Sequence, residues 1–294
     1  MQRVGVMIHP TRPVRDALGV LRRWVDARGL ELVQIPSGEQ PSVAPWGDVS
    51  ACDLIAALGG DGTILKALHV AARTATPVMG VAYGSVGALT SVPHSELRAG
   101  LDRFAAGSWF AQELPALVVS TADGNRAWAI NDFVLARRGG TQLGVDVFID
   151  QDLYVRLAGD GIVVATALGS SAYSMAAGGP LLAAGAQAFV CTPLAMHGGC
   201  APPVVVPDDR EVTFQVHPGH GGFNVEIDGV ELAAATQRFA VSSKPAYARL
   251  VALNESDGGV PRLRERGLIN DSPRVLARVR RALDVELGAQ STPR

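Results

Sequence analysis

Apolar and polar positions follow one rhythm up to about residue 110 and another beyond it. Arg3 to Ile8 is a short apolar run, followed by Val14, Ala17, Leu18, Leu21 and Val25 at helical spacing and then by Leu30 to Ile35. That order predicts strand, helix, strand. Ser37 to Ala51, rich in Ser, Pro and Gly, breaks the pattern as a loop does. Leu54 to Leu58 predicts a strand that runs into the turn Gly59-Gly60-Asp61-Gly62-Thr63. Ile64, Leu65, Leu68, Ala71 and Ala72 form the buried stripe of the helix behind it, and Val78 to Ala82 predicts another buried strand. Strands alternating with helices predict an α/β unit built on a Rossmann-like parallel sheet, with right-handed crossovers and both faces covered.

Past residue 110 the prediction becomes successive β-strands separated by turn signals. They include Leu117 to Val119, Ala129-Ile130, Val145 to Ile149, Val212 to Val216 and Asn224 to Ile227. This predicts an all-β two-layer sandwich over 111–254, interrupted by one Ala/Ser-rich helix near Ser171 to Ala184. Val275, Leu276, Val279 and Leu283 then share one face of a helical tail.

A chain of 294 residues is long enough for two packed units. The apolar fraction of 48% with 18% charged residues describes an ordinary globular protein, with disorder confined to its ends. A net charge of -2 gives no broad field to attract nucleic acid or an anionic membrane, so neither is an expected partner. His9, Pro10 and Arg12 interrupt the first apolar run too early for a signal peptide, so a cytoplasmic location is expected. The most lipophilic stretch, Ile162 to Val190, is broken by Gly178-Gly179-Pro180 and predicts no membrane span. Cys52, Cys191 and Cys200 lack the spacing of a zinc site or a disulfide framework, which predicts buried free thiols.

The chemistry concentrates in three clusters. Gly59 to Thr63 lies between a strand and a helix, where ligands meet the carboxyl end of a sheet and helix amides meet anions. Its three glycines, Gly59, Gly60 and Gly62, admit a phosphate without Cβ clashes; Asp61 adds a carboxylate for a metal contact or an attacking hydroxyl, and Thr63 is a helix-cap candidate. The bland alternative is a strand-to-helix turn with an aspartate cap. No GxxxxGK[ST] loop and no strict GxGxxG turn occurs, and Lys66 and Lys244 are the only lysines, with Lys66 expected on an exposed helix face. Asn131-Asp132 pairs an amide with a carboxylate, suited to ribose hydroxyls or an adenine edge, or equally to an Asx turn. The third cluster runs from Gly159-Asp160-Gly161 through Gly169-Ser170-Ser171-Ala172-Tyr173-Ser174 to Gly178-Gly179-Pro180, offering hydroxyls and an aromatic face to a planar base. Its serines have no GxSxG elbow, and a lone His197 is more often structural than catalytic.

In this order and at these separations the clusters resemble the NAD kinase family over most of the chain, with Thr192-Pro193, His197, Asp228-Gly229 and Leu263-Arg264 as further landmarks. The first cluster alone is shared with phosphofructokinase-like and diacylglycerol kinase-like enzymes. The resemblance implies a two-domain fold, 1–110 and 111–254, with the C-terminal helices (255–294) returning to the first unit, and a homodimer or homotetramer. It implies transfer of the ATP γ-phosphate to the 2′-hydroxyl of the adenosine ribose of NAD, with a divalent cation such as magnesium offsetting phosphate charge. Asp61 would be the base or orienting group, and Asn131, Asp132, Asp160, Ser171, Ala172 and Tyr173 would contact the dinucleotide. The chain departs from the family pattern at Ala82 for Asn, Ala88 for Phe, Asp132 for Glu, Ala167-Leu168 for Pro-Thr, Ser171 for Thr and Ala201 for Arg. These positions keep two other readings open: a kinase with another nucleotide, sugar or lipid hydroxyl as acceptor, and a catalytically weak NAD(P) sensor.

Overall fold

The computed structural model describes residues 1–36, 38, 41–83, 87–233, 236–254 and 259–278. In the first unit β1 (Arg3–Ile8), β2 (Glu31–Gln34), β3 (Leu54–Gly59) and β4 (Val78–Ala82) pair in parallel in the order β2-β1-β3-β4. A two-residue strand, β5 (Val92–Pro93), adds to β4. Helices α1 (Arg15–Asp26), α2 (Asp61–Ala71) and α3 (Leu97–Ala105) cover the sheet. α1 folds because Ala17, Leu18, Leu21, Trp24 and Val25 make one apolar stripe, which packs with Val4, Val6, Leu54, Ala56 and Leu58 on one sheet face. Ile64, Leu65, Ala67, Leu68 and Ala71 of α2 pack on the opposite face with Met7, Ile55 and Ala57. The predicted covered parallel sheet is present.

The remaining strands are β6 (Phe110–Thr121), β7 (Arg126–Ala129), β8 (Asp132–Arg137), β9 (Leu143–Ile149), β10 (Asp152–Gly159), β11 (Gly161–Thr166), β12 (Ala188–Leu194), β13 (Val204–Pro207), β14 (Val212–His217), β15 (Phe223–Ile227), β16 (Val230–Leu232) and β17 (Arg238–Ala252). One layer, β13-β12-β11-β8-β15-β16, is antiparallel throughout. Phe133, Leu135, Ile162, Val164 and Phe189 on its inner side meet Val145, Val147, Phe214 and Phe239 of the facing layer, which is the core of the predicted sandwich.

The facing layer is continuous with the parallel sheet. β6 and β17 form one long antiparallel ribbon, from Phe239↔Thr121 to Ala252↔Phe110. One end of β17 pairs with β14 at Val212↔Val241 and the other pairs with β4 at Leu250↔Val78. The α/β unit and one sandwich layer are therefore one sheet of 11 strands. A bulge between Lys244 and Ala248 kinks the ribbon midway.

Two sequence expectations change here. The helix near Ser171 to Ala184 shrinks to a tight 3-10 turn (Gly169–Ser171) and the single helical turn α4 (Tyr173–Ala176). Gly178 enters the left-handed region at φ 88° and Pro180 cannot donate to a continuing helix, so the small-residue stretch ends at once. Cys52 and Cys191 are buried, but Cys200 is exposed in the irregular segment before β13. At the carboxyl end, α5 (Val260–Glu265) sends Arg262 back to the carbonyl of Thr90 in the first unit at 2.9 Å. Residues 273–278 are helical, with Val275 and Leu276 exposed; Val279 and Leu283 lie outside the described residues. No helix among the described residues is long and apolar enough to cross a membrane.

Candidate active site

The order β2-β1-β3-β4 sends the chain in opposite directions from β1, so a crevice opens beyond the carboxyl ends of β1 and β3. β3 delivers Gly59 there, and α2 begins at Asp61 with Gly60 in the cap position. Thr63 does not cap the helix as expected. It is buried against Gly59, where an added Cβ would lie 2.4 Å from Thr63 Oγ1; the amides of Thr63 and Ile64 donate to the Gly60 carbonyl, and those of Asp61 and Gly62 remain for an outside acceptor.

The loop after β1 folds back over this turn. His9 Nδ1 accepts from the amides of Thr11 and Arg12 at 3.2 and 3.1 Å, which curls the loop and brings the Arg12 guanidinium within 3.5 Å of the Cβ position of Gly60. Arg12 also donates to the carbonyl of Tyr83, at the end of β4, at 3.2 Å. Burial, Arg12 and Lys66 all hold the His9 imidazole below its usual pKa, so a local positive field surrounds the turn although the chain is net negative. Lys66 is exposed as expected. Arg12 and His9 escape sequence reading because their relation to Gly60 depends on strand order; the polar Pro-Thr-Arg-Pro stretch after an apolar run is the available signal.

Asp61 is held in place. Its carboxylate accepts the amides of Ala88 at 2.9 Å and Leu89 at 3.2 Å. Gly87 makes this possible, because a Cβ there would sit 2.0 Å from Asp61 Oδ1. A carboxylate has about four lone-pair positions, so a further donor, such as a substrate hydroxyl, can still be accommodated.

The other half of the site comes from the sandwich. No Asx hydrogen bond forms at Asn131 or Asp132 among the described residues. Instead the amides of Ile130, Asn131 and Asp132 all donate to Asp228, at 2.8, 2.7 and 3.0 Å. The turn Thr166–Ser171 docks on the same segment: Thr166 Oγ1 donates to the Ile130 carbonyl at 2.6 Å and the Thr166 amide to that of Asn131 at 2.9 Å. Gly169 lies so close that a Cβ would be 2.0 Å from the Asn131 carbonyl oxygen. Asp132 is only 7% exposed, and burial, reinforced by Asp228 and Glu226, pushes its carboxyl up to about 7.

Ser171 is buried and receives a hydrogen bond from Arg266 at 3.3 Å; Ala172 and Tyr173 are exposed beside it. Asp160 stands apart. It precedes β11 at the end opposite Ala165, which pairs with Asp132, so roughly 16 Å of strand separates them. There it pairs with Arg137. Burial, and then the negative charges of Glu226, Asp160 and Asp132, raise the Tyr173 phenol pKa. His197 is exposed and bonded to Gln142 at the Asp160 end of the sandwich, where its amide donates to the Ala158 carbonyl.

A cleft of about 290 Å³ joins the two halves, lined among others by Ala88, Leu114, Leu168, Ser171, Pro245 and Arg266. The bulge in β17 places Pro245 in its wall. Ala88 is the residue whose amide binds Asp61, and Ser171 belongs to the turn docked on Asn131, so the cleft borders both halves, while neither the Gly59–Thr63 turn nor Asn131 and Asp132 themselves line it.

The fold is thus two units bordering one cleft, a glycine turn on a parallel sheet and the face of a β-sandwich. Residues 47–109 match the ATP-NAD kinase N-terminal domain and residues 130–242 match the ATP-NAD kinase C-terminal domain. An NAD kinase of Chlorobaculum tepidum is 31% identical over 241 residues, covering 79% of this chain and 84% of that protein. One from Neisseria gonorrhoeae is 37% identical over 183 residues, covering 60% of this chain and 62% of that protein. The chain belongs to the NAD kinase family. The same fold is seen in yeast NADH kinase complexed with NADH, with a TM-score of 0.77 and 20% identity over 92% of this chain and 89% of that one. An Archaeoglobus fulgidus NAD kinase in complex with ATP gives a TM-score of 0.73 and 22% identity, covering 92% of this chain and 100% of that one.

Proposed function

We propose that the protein transfers the γ-phosphoryl group of ATP to the 2′-hydroxyl of the adenosine ribose of NAD, producing NADP and ADP. The observation that carries this reading is Asp61. It is fixed by two backbone amides at the head of the glycine turn, one of them from Ala88, which lines the same cleft as Ser171. The ribose hydroxyl oxygen would attack the γ-phosphorus as the bond to the leaving ADP oxygen breaks, and Asp61 would orient the hydroxyl and receive its proton. The α2 amides and the Arg12 guanidinium would hold the triphosphate. Asn131, Asp132, Asp160, Ser171, Ala172 and Tyr173 would hold the dinucleotide. A divalent cation would neutralise the triphosphate. Among the described residues no three His, Cys, Asp or Glu side chains converge, so the cation would be held mainly by phosphate and water, with Asp61 a candidate contact.

Purified protein with magnesium, ATP and NAD should accumulate NADP, read with an NADP-specific dehydrogenase, and Asp61→Ala should lower turnover by roughly a hundred-fold or more. ATP consumption without NADP would refute the acceptor. Ala88, Ala167 and Leu168 give the cleft a small-residue apolar wall, which favours a different hydroxyl acceptor as the second reading. Assembly as a homodimer or homotetramer is part of the proposal, and sedimentation equilibrium tests it.

A further inference from the structure

Asp228 sits at the corner between β15 and β16, with a side chain only 4% exposed. Its Oδ1 accepts the amides of Asn131 and Asp132, while its Oδ2 accepts the amide of Ile130 and lies 2.6 Å from His69 Nε2. Four donors fill the lone-pair positions of the carboxylate, so Asp228 has none left for a substrate. It nevertheless occupies a left-handed backbone conformation, φ 50°, secured by its own amide donating to the Asp132 carbonyl at 2.9 Å. That conformation is the one the two-residue Asp228-Gly229 turn between β15 and β16 requires.

His69 is the one of these four donors that comes from the first unit. It lies on α2 eight residues after Asp61, about 12 Å along the same helix. A helix of that length moves as a rod, so whatever fixes His69 also fixes the phosphate turn. Its ring meets the edge of Tyr247 at 6.1 Å, and Tyr247 stacks at 6.3 Å on Trp128, two residues before Ile130. The helix therefore contacts the acceptor segment twice, once through rings and once through an ionisable hydrogen bond.

We infer that His69 is a positioning residue, whose hydrogen bond to Asp228 locks the helix of the phosphate turn to the Asn131-Asp132 turn and thereby sets the distance between phosphoryl donor and acceptor hydroxyl. This rests on the phosphotransfer reading above. Neither side chain touches a reacting atom. Without His69, Asp228 keeps its three backbone amides and its burial, so the turn still forms, but it has lost its tie to α2 and opens more readily. A misplacement of about an ångström between reacting groups is enough to cost roughly a hundred-fold in rate.

The test uses His69→Leu, which removes the donor, and His69→Gln, whose amide can restore it. Two readouts are needed: steady-state kinetics with ATP and NAD, and hydrogen exchange at the amides of Ile130, Asn131 and Asp132. In His69→Leu turnover should fall roughly ten- to a hundred-fold with both KM values within about three-fold of wild type, and the three amides should exchange faster. His69→Gln should recover most of both. Unchanged exchange at those amides in His69→Leu overturns the inference, whatever the activity. So does unchanged turnover accompanied by a lower melting temperature, which describes a merely structural contact. If wild-type protein makes no NADP but the exchange pattern appears as expected, the lock stands and the acceptor assignment fails.

Discussion

Replacing Asp132 with asparagine should make the protein more stable at neutral and alkaline pH while impairing its chemistry. Asp132 is buried beside the Asp228 carboxylate, accepts no hydrogen bond from the described residues, and its carboxyl is pushed from 3.8 up to about 7. A folded-state pKa above the unfolded value means that the native protein holds a proton the unfolded chain releases. The native state therefore loses stability as pH rises from about 4 to about 7, and the full penalty applies above that. A gap of about three units corresponds to about 4 kcal/mol as a ceiling. Asparagine has nearly the same shape and never ionises, but its amide hydrogens need partners, a cost of about 1–2 kcal/mol. Asp132→Asn should thus gain about 2 kcal/mol near pH 8 and lose about 1–2 kcal/mol near pH 4. Urea unfolding of both proteins at intervals across that range measures this directly, since the order of the midpoints should reverse on acidification. A difference independent of pH would show that Asp132 does not titrate between those limits and would refute the argument.

Gly87→Ala would drive a methyl group into the Asp61 carboxylate, 2.0 Å away, so turnover should fall at least about ten-fold while the circular dichroism spectrum stays native; wild-type kinetics would separate Asp61 from its loop. Arg12→Ala should raise the KM for ATP by roughly ten-fold with little change in that for NAD, because a guanidinium contact to phosphate is lost. Equal effects on both substrates would place Arg12 elsewhere. Asp160→Asn breaks a partly exposed pair with Arg137 and should cost under about 1 kcal/mol in thermal unfolding.

What the sequence reveals depends on whether the signal is local. β3 and α2 are legible because an unbroken apolar strand, a glycine turn and a helical stripe follow one another within a few residues. The sandwich is legible as a class, yet β17 is not, since Lys244 and Pro245 interrupt its pattern and only pairing with β6 reveals a single strand. The small residues after Ser171 satisfy helical composition, but Gly178 and Pro180 decide the outcome. Thr63 has the residue type of a cap, and packing under Gly59 takes that option away. Arg12, His9 and His69 carry no motif, and their places follow from which strands are neighbours. Asp228 is noticeable as Asp-Gly, while its four bonds to distant segments are not.

The ribbon of β6 and β17 belongs to both units at once, with its hydrogen bonds unbroken except at one bulge. A continuous ribbon of this kind opposes a wide hinge motion, with the bulge as its one weak point. The cleft should therefore admit and release ligands through loops and side chains rather than by a jaw-like swing, and heating should melt the two units in one transition. For anyone recombining kinases, neither half is a module that can be cut out at a linker, because the seam between them is itself a strand of each.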